Sequence, residues 1–194
     1  METIAEKQLT DRHSENAEFG FWIYLMTDLV TFSVLFATYA VLKNNTFGGP
    51  SGRELFNLPF VLGETLILLT SSFTSGLAML SVRQNKKNQS LAWFGTTFLL
   101  GTAFLVMEST EFRHLLSEGN GPQRNAFLSS FFALVGTHGL HIAIGLLWMC
   151  VSMAMVQVRG LTEAIKSKLH RLSLFWHFLD IVWIFIFTIV YLLK

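Results

Sequence analysis

The sequence predicts an all-α fold: a polytopic membrane protein built as a five-transmembrane-helix bundle, with the amino terminus in the cytoplasm and the carboxyl terminus outside. Three observations lead there. The 194 residues are 52% hydrophobic and only 14% charged, with 19 phenylalanines and a mean hydropathy of +0.48, whereas a soluble domain carries about 25% charged residues. Five long apolar runs contain neither Lys nor Arg, so all 14 basic residues fall outside them. Those basic residues are unevenly shared: Lys7, Arg12, Arg83, Lys86, Lys87, Arg159, Lys166, Lys168 and Arg171 lie on one side, and Lys43, Arg53, Arg113, Arg124 and Lys194 on the other. The positive-inside rule then sets the amino terminus in the cytoplasm.

Each span follows from its flanks, since a transmembrane helix needs about 20 mostly apolar residues. The first run, residues 21–42, stands behind an acidic, polar segment over residues 1–20 (Glu2, Glu6, Asp11, Glu15, Glu18). That is the wrong flank for a cleaved signal peptide, so the run reads as a retained helix. The second, residues 60–82, follows turn chemistry at Asn44-Asn45 and Gly48-Gly49-Pro50. Arg83, Lys86 and Lys87 separate it from the third, residues 91–112. The fourth, residues 126–156, follows Gly119-Asn120-Gly121-Pro122; at about 1.5 Å per residue it is longer than a bilayer core and must tilt or project. The fifth occupies residues 172–193. Residues 1–20 are thus read as a cytoplasmic segment and 21–194 as the transmembrane domain.

Several function classes drop out. A net charge of +1 offers nothing to nucleic acid. The single cysteine, Cys150, excludes an internal disulfide, a Cys-rich zinc or iron–sulfur site, and a binuclear copper centre needing two thiolates from one chain. Short polar loops leave no room for a soluble catalytic domain, and the absence of a repeat or of intrahelical proline argues against a small proton-coupled transporter.

The informative residues are the ionisable ones inside the spans, each costing at least about 2.5–3.5 kcal/mol at mid-bilayer and so needing a partner or a purpose. They are Asp28, Glu64, Glu108, His138, His141, His177 and Asp180. Counting helical rise from the cytoplasmic ends places His177, Asp28, Asp180 and His141 in one inner layer about 8–15 Å deep. Glu64 and Glu108 fall in an outer layer. His138 and His141 are three residues apart, as are His177 and Asp180, so each pair faces one direction. Two readings compete: hydrogen bonds that hold the helices in register, and an imidazole beside a carboxylate that relays protons. Asp28 stands out as the only charged residue of its span, flanked by Thr27 and Thr31. Small residues at Gly136, Gly139, Ala143 and Gly145, and the run Thr70-Ser71-Ser72, mark packing faces. On these residues alone three functions stay open: a non-catalytic subunit of a respiratory complex, a membrane b-type cytochrome with His138 or His141 and His177 as axial haem ligands, and the transporter.

Longer fragments bring a family into view. Phe21-Trp22-Ile23-Tyr24-Leu25-Met26-Thr27-Asp28, Gly136-Thr137-His138-Gly139-Leu140-His141, Phe175-Trp176-His177-Phe178-Leu179-Asp180-Ile181-Val182-Trp183 and Glu108-Ser109-Thr110-Glu111-Phe112 together resemble subunit III of haem–copper oxidases. The similarity extends over all five spans and is strongest to the bacterial cytochrome o ubiquinol oxidase branch. The resemblance implies a five-helix bundle, where the cytochrome c oxidase version has seven, with no catalytic, cofactor-binding or metal-ligating residue of its own. It implies packing against the catalytic subunit I, which holds the haems and copper, in company with subunits II and IV. It further implies phospholipids cradled beside the first helix, ubiquinol oxidised and protons pumped by the whole complex, and residence in the bacterial inner membrane with a periplasmic carboxyl terminus. Asp28 matches the family's intramembrane carboxylate, which is glutamate in the cytochrome c oxidase branch. The alternatives are the bis-His cytochrome and subunit III of a related menaquinol or cytochrome c oxidase.

Overall fold

The computed structural model describes residues 4–46 and 58–193; the turn at Gly48-Gly49-Pro50 and the charges of Arg53 and Lys194 lie outside the described residues. Five helices make up the described chain: α1 (Ile4–Leu42), α2 (Leu58–Arg83), α3 (Lys87–Ser117), α4 (Ala126–Arg159) and α5 (Glu163–Ile186), the last continuing as a π-helical segment, Phe187–Leu192. All five are long and apolar enough to cross a membrane. The first differs from its sequence outline: the polar amino-terminal segment is helical from Ile4, and the part able to span begins at Asn16.

The breaks between helices have local causes. Between α2 and α3 the chain reverses in three residues, with Asn85 in the left-handed region at φ 56°, a conformation Asn tolerates better than most residues. α3 ends where Gly119 (φ 75°) and Asn120 return their N–H groups to Leu116 and Leu115 carbonyls, a glycine-dependent stop. Asn125 caps α4 by accepting the Leu128 N–H at 2.7 Å. Gly160 (φ 73°) closes α4.

Contacts between helix ends fix the up-and-down order. Lys43, after α1, donates to the Leu193 carbonyl at 3.4 Å, and Asn125, before α4, donates to the Thr46 carbonyl at 3.3 Å. The end of α1, the start of α4 and the end of α5 therefore share one end of the bundle. At the opposite end Lys87, opening α3, donates to the Gln157 carbonyl of α4 at 2.9 Å. α2 and α3 pack most extensively on each other, while α5 rests on α2 and α4; α1 is held mainly by α4 and touches α5 lightly. Large apolar side chains such as Val34, Phe73, Leu99, Leu147 and Val158 face outward, as expected where the surrounding solvent is lipid.

Aromatic wedges fill the core. The Trp176 indole slots between α3 and α4 so tightly that a Cβ at Gly101 would lie 2.7 Å from it and one at Gly145 3.2 Å. Its N–H donates to Ser71 Oγ at 3.1 Å. The small residues of α4 thus admit neighbouring side chains: Phe112 beside Gly136, Leu105 beside Gly139, and Phe175 and Trp176 beside Gly145. Trp183, also fully buried, donates to Thr65 Oγ1 at 3.1 Å. The π-helical segment then places Val190 and Tyr191 in the core, its wider turn shifting the register of the last residues relative to α5.

Candidate functional site

The seven ionisable residues separate into four settings. Asp28 of α1 meets His141 of α4: His141 Nε2 lies 3.5 Å from Asp28 Oδ2, and both side chains are largely buried. His141 Nδ1 donates to the Thr137 carbonyl at 2.8 Å, a bond that requires hydrogen on Nδ1 and leaves Nε2 to face the acid. The two groups thus face each other across the seam between α1 and α4, where a buried charge left without a partner is costly. Tyr24, one turn before Asp28, is within hydrogen-bonding reach of it.

His177 and Asp180 of α5 turn to a different helix. Ser72 of α2 lies 2.7 Å from His177 Nδ1 and within hydrogen-bonding reach of Asp180, so one hydroxyl bridges both. Along α5 the polar residues His170, Ser173, His177 and Asp180 form a stripe at i, i+3, i+7 and i+10, one face of a helix. It lines shallow grooves against Ser72, Gly76 and Arg83 of α2. The inner layer of the sequence reading is therefore two separate seams, α1 with α4 and α2 with α5.

His138 is fully buried in an aromatic box. It stacks on Trp183 (centroids 5.2 Å apart, 28° between planes) and meets the edges of Phe104 and Phe32 at 6.1 and 6.4 Å. Rings wall His138 on three sides and neither of its nitrogens has a hydrogen-bond partner among the described residues, while Nδ1 of His141 and of His177 are taken by the Thr137 carbonyl and Ser72.

Glu64 of α2 and Glu108 of α3 converge with a third acid, Glu111, with one oxygen from each within 4.8 Å of the others. Glu111 entered the sequence reading only as part of a motif. The signal that could have singled it out is its i+3 spacing from Glu108, which puts both on one face of α3. Tyr191 went unnoticed, Tyr24 entered only within a motif and Ser72 only within a packing face, since a hydroxyl in an apolar helix carries no pattern that names its partner.

Beside α1 runs an apolar groove of about 650 Å³ between α1 and α5, lined by Leu25, Leu29, Phe32, Phe36, Phe178 and Phe185 among others, with His177 at its edge.

Comparison with known proteins agrees with this architecture. The family model described as cytochrome c oxidase subunit III matches residues 2–194. The chain is 62% identical to cytochrome bo(3) ubiquinol oxidase subunit 3 of Pseudomonas aeruginosa, over 92% of this chain and 85% of the relative. It is 57% identical to the protein of the same description in Pseudomonas putida, over 90% and 84%. It is also 46% identical to cytochrome c oxidase subunit 3 of Bacillus sp. (strain PS3), over 92% and 86%. With all five helices inside the match, the chain belongs to the cytochrome c oxidase subunit III family, the third subunit of the haem–copper oxidases.

Proposed function

We propose that this chain is the non-catalytic third subunit of a proton-pumping terminal oxidase that oxidises ubiquinol and reduces oxygen to water, seated in the bacterial inner membrane with its amino terminus in the cytoplasm. The observation that carries the choice of ubiquinol over cytochrome c is that two relatives described as ubiquinol oxidase subunit 3 reach 62% and 57% identity, above the 46% of the cytochrome c oxidase relative, while others of the ubiquinol description stand at 43–45%. The haems and copper belong to subunit I, which this chain braces from the side, with subunits II and IV completing the assembly. The groove between α1 and α5 suits phospholipid: all but Ser33 and His177 of its lining is apolar, and α1 touches α5 only lightly, so acyl chains filling it would hold the first helix at its distance.

The test is affinity purification through this chain from mild detergent, followed by a census of subunits, lipid analysis and a reduced-minus-oxidised spectrum. A haem-bearing large subunit should co-purify, and the separated chain should show no Soret band. A chain that purifies alone and binds haem would overturn the assignment.

A further inference from the structure

The carboxyl cluster formed by Glu64, Glu108 and Glu111 has no evident purpose in bracing another subunit. It lies near the end of the bundle where α2 begins and α3 is about to leave. Glu64 and Glu111 are each six residues from their helix end, or about 9 Å at the helical rise. Glu64 is 0% and Glu108 3% exposed. Among the described residues none of the four carboxyl oxygens of Glu64 and Glu108 has a hydrogen-bond partner, nor has Glu111 Oε2. No Lys or Arg forms an ion pair with them there. Buried acids left this way are costly, because the native state must supply either protons or a cation before the helices can close.

We propose that Glu64, Glu108 and Glu111 form a binding site for one hard divalent cation of the calcium class. The donor set is all oxygen, which suits a hard ion and disfavours zinc, whose sites draw on nitrogen and sulfur. Three carboxyl groups offer up to six oxygens, within the six to eight that calcium takes at about 2.3–2.6 Å. Two ligands on opposite sides of such an ion stand about 4.8 Å apart, and one donor oxygen from each of the three acids already lies within 4.8 Å of the others. Magnesium, at about 2.0–2.1 Å, would have to give up the waters it prefers to keep in so enclosed a carboxylate cage. Orientation is provided as well: the Tyr191 phenol is within hydrogen-bonding reach of Glu111, the kind of outer contact that holds a ligating carboxylate in place. Glu111 is the partly exposed member, so it marks the side from which an ion enters. The sequence reading assigned this chain no metal ligand, on the strength of the family resemblance; Glu64 lies in a different helix from the other two, and the fold brings them together.

The test uses the intact membrane complex that contains this chain, stripped with chelator, re-equilibrated with ⁴⁵Ca²⁺ and counted. The wild-type complex should hold one more Ca²⁺ per copy of this chain than the Glu64→Gln/Glu108→Gln double variant. Should the double variant fail to assemble, Glu111→Gln, at the accessible edge, should weaken binding at least about tenfold with all subunits present. Tb³⁺ as a substitute should emit on excitation at 280 nm, through Tyr191 and the nearby Trp183, and Ca²⁺ should quench it. Equal Ca²⁺ in wild type and variants would overturn the proposal, as would carboxylic-acid infrared bands in the Ca²⁺-equilibrated wild type that vanish in the variants.

Discussion

Substitution of Gly101 by alanine isolates how tightly the Trp176 wedge locks α3, α4 and α5. A Cβ there would lie 2.7 and 2.8 Å from two indole carbons and 3.0 Å from a Leu146 methyl. Ordinary carbon contacts are about 3.5–4.0 Å, so the indole must withdraw by most of an ångström. It has nowhere to go: Trp176 is only 1% exposed, and its far side abuts the space at Gly145. Overpacking of this kind costs about 1–3 kcal/mol, and displacing the ring strains its bond to Ser71, worth about 1 kcal/mol. Alanine's helix propensity returns about 1 kcal/mol. That term cancels against Gly95→Ala on the same helix, where a Cβ meets nothing within 4 Å. The two variants should therefore differ by about 2–4 kcal/mol. At about 2–4 °C per kcal/mol for a chain of this size, the midpoints of thermal unfolding should lie about 4–16 °C apart. The assay is the helical circular-dichroism signal of the detergent-solubilised chain during heating, with Gly145→Ala expected in between because its contacts are 3.2–3.3 Å. Equal midpoints for Gly101→Ala and Gly95→Ala would refute the wedge.

Two further substitutions probe the polar seams. Asp180→Leu removes the carboxyl that shares Ser72 with His177 and should lower retention of this subunit in the purified complex more than Phe73→Leu, whose side chain faces outward; equal retention on native gels would refute a structural role for that bridge. Asp28→Leu should likewise loosen the subunit by leaving His141 without its acid, and with His141→Ala should show a coupling of about 0.5–3 kcal/mol in a double-mutant cycle. Zero coupling would mean that the 3.5 Å approach contributes nothing.

Much of the fold was legible because a bilayer imposes a one-dimensional code: the absence of Lys and Arg over about 20 residues locates a span without any knowledge of its neighbours. The code is silent on what depends on a second helix. Depth counting put His141, Asp28, His177 and Asp180 at one level, yet rotation about each helix axis decides partnership, and it sends His141 to α1 and His177 to α2. Glu64 and Glu108 were placed in a layer of their own, while their convergence with Glu111 depends on how α2 packs on α3, and the approach of Tyr191 on the π-helical register after Ile186. The helical residues before Asn16 were missed for a simpler reason: polar composition excluded them from a span but does not forbid a helix continuous with one.

Asp28 has two readings, proton donor to the oxidase or structural partner of His141, and its charge variant separates them. A relay needs a next group to receive the proton; among the described residues Asp28 faces Tyr24 on its own helix and, across the seam, His141, whose Nδ1–H is tied to the Thr137 carbonyl. A proton can shuttle between Oδ2 and Nε2, but to leave at Nδ1 it must break a 2.8 Å bond inside α4. The geometry thus favours a structural partnership, and we expect Asp28→Asn, which keeps shape and hydrogen-bonding capacity, to leave steady-state quinol oxidation within about twofold of wild type across the pH range. The measurement is turnover of the complex from neutral to alkaline pH, with subunit stoichiometry checked at each point. Under the relay reading protons become limiting as pH rises, so the asparagine variant would lose activity progressively there. A defect of that shape, with every subunit present in normal ratio, would establish Asp28 as a proton donor and displace the structural reading.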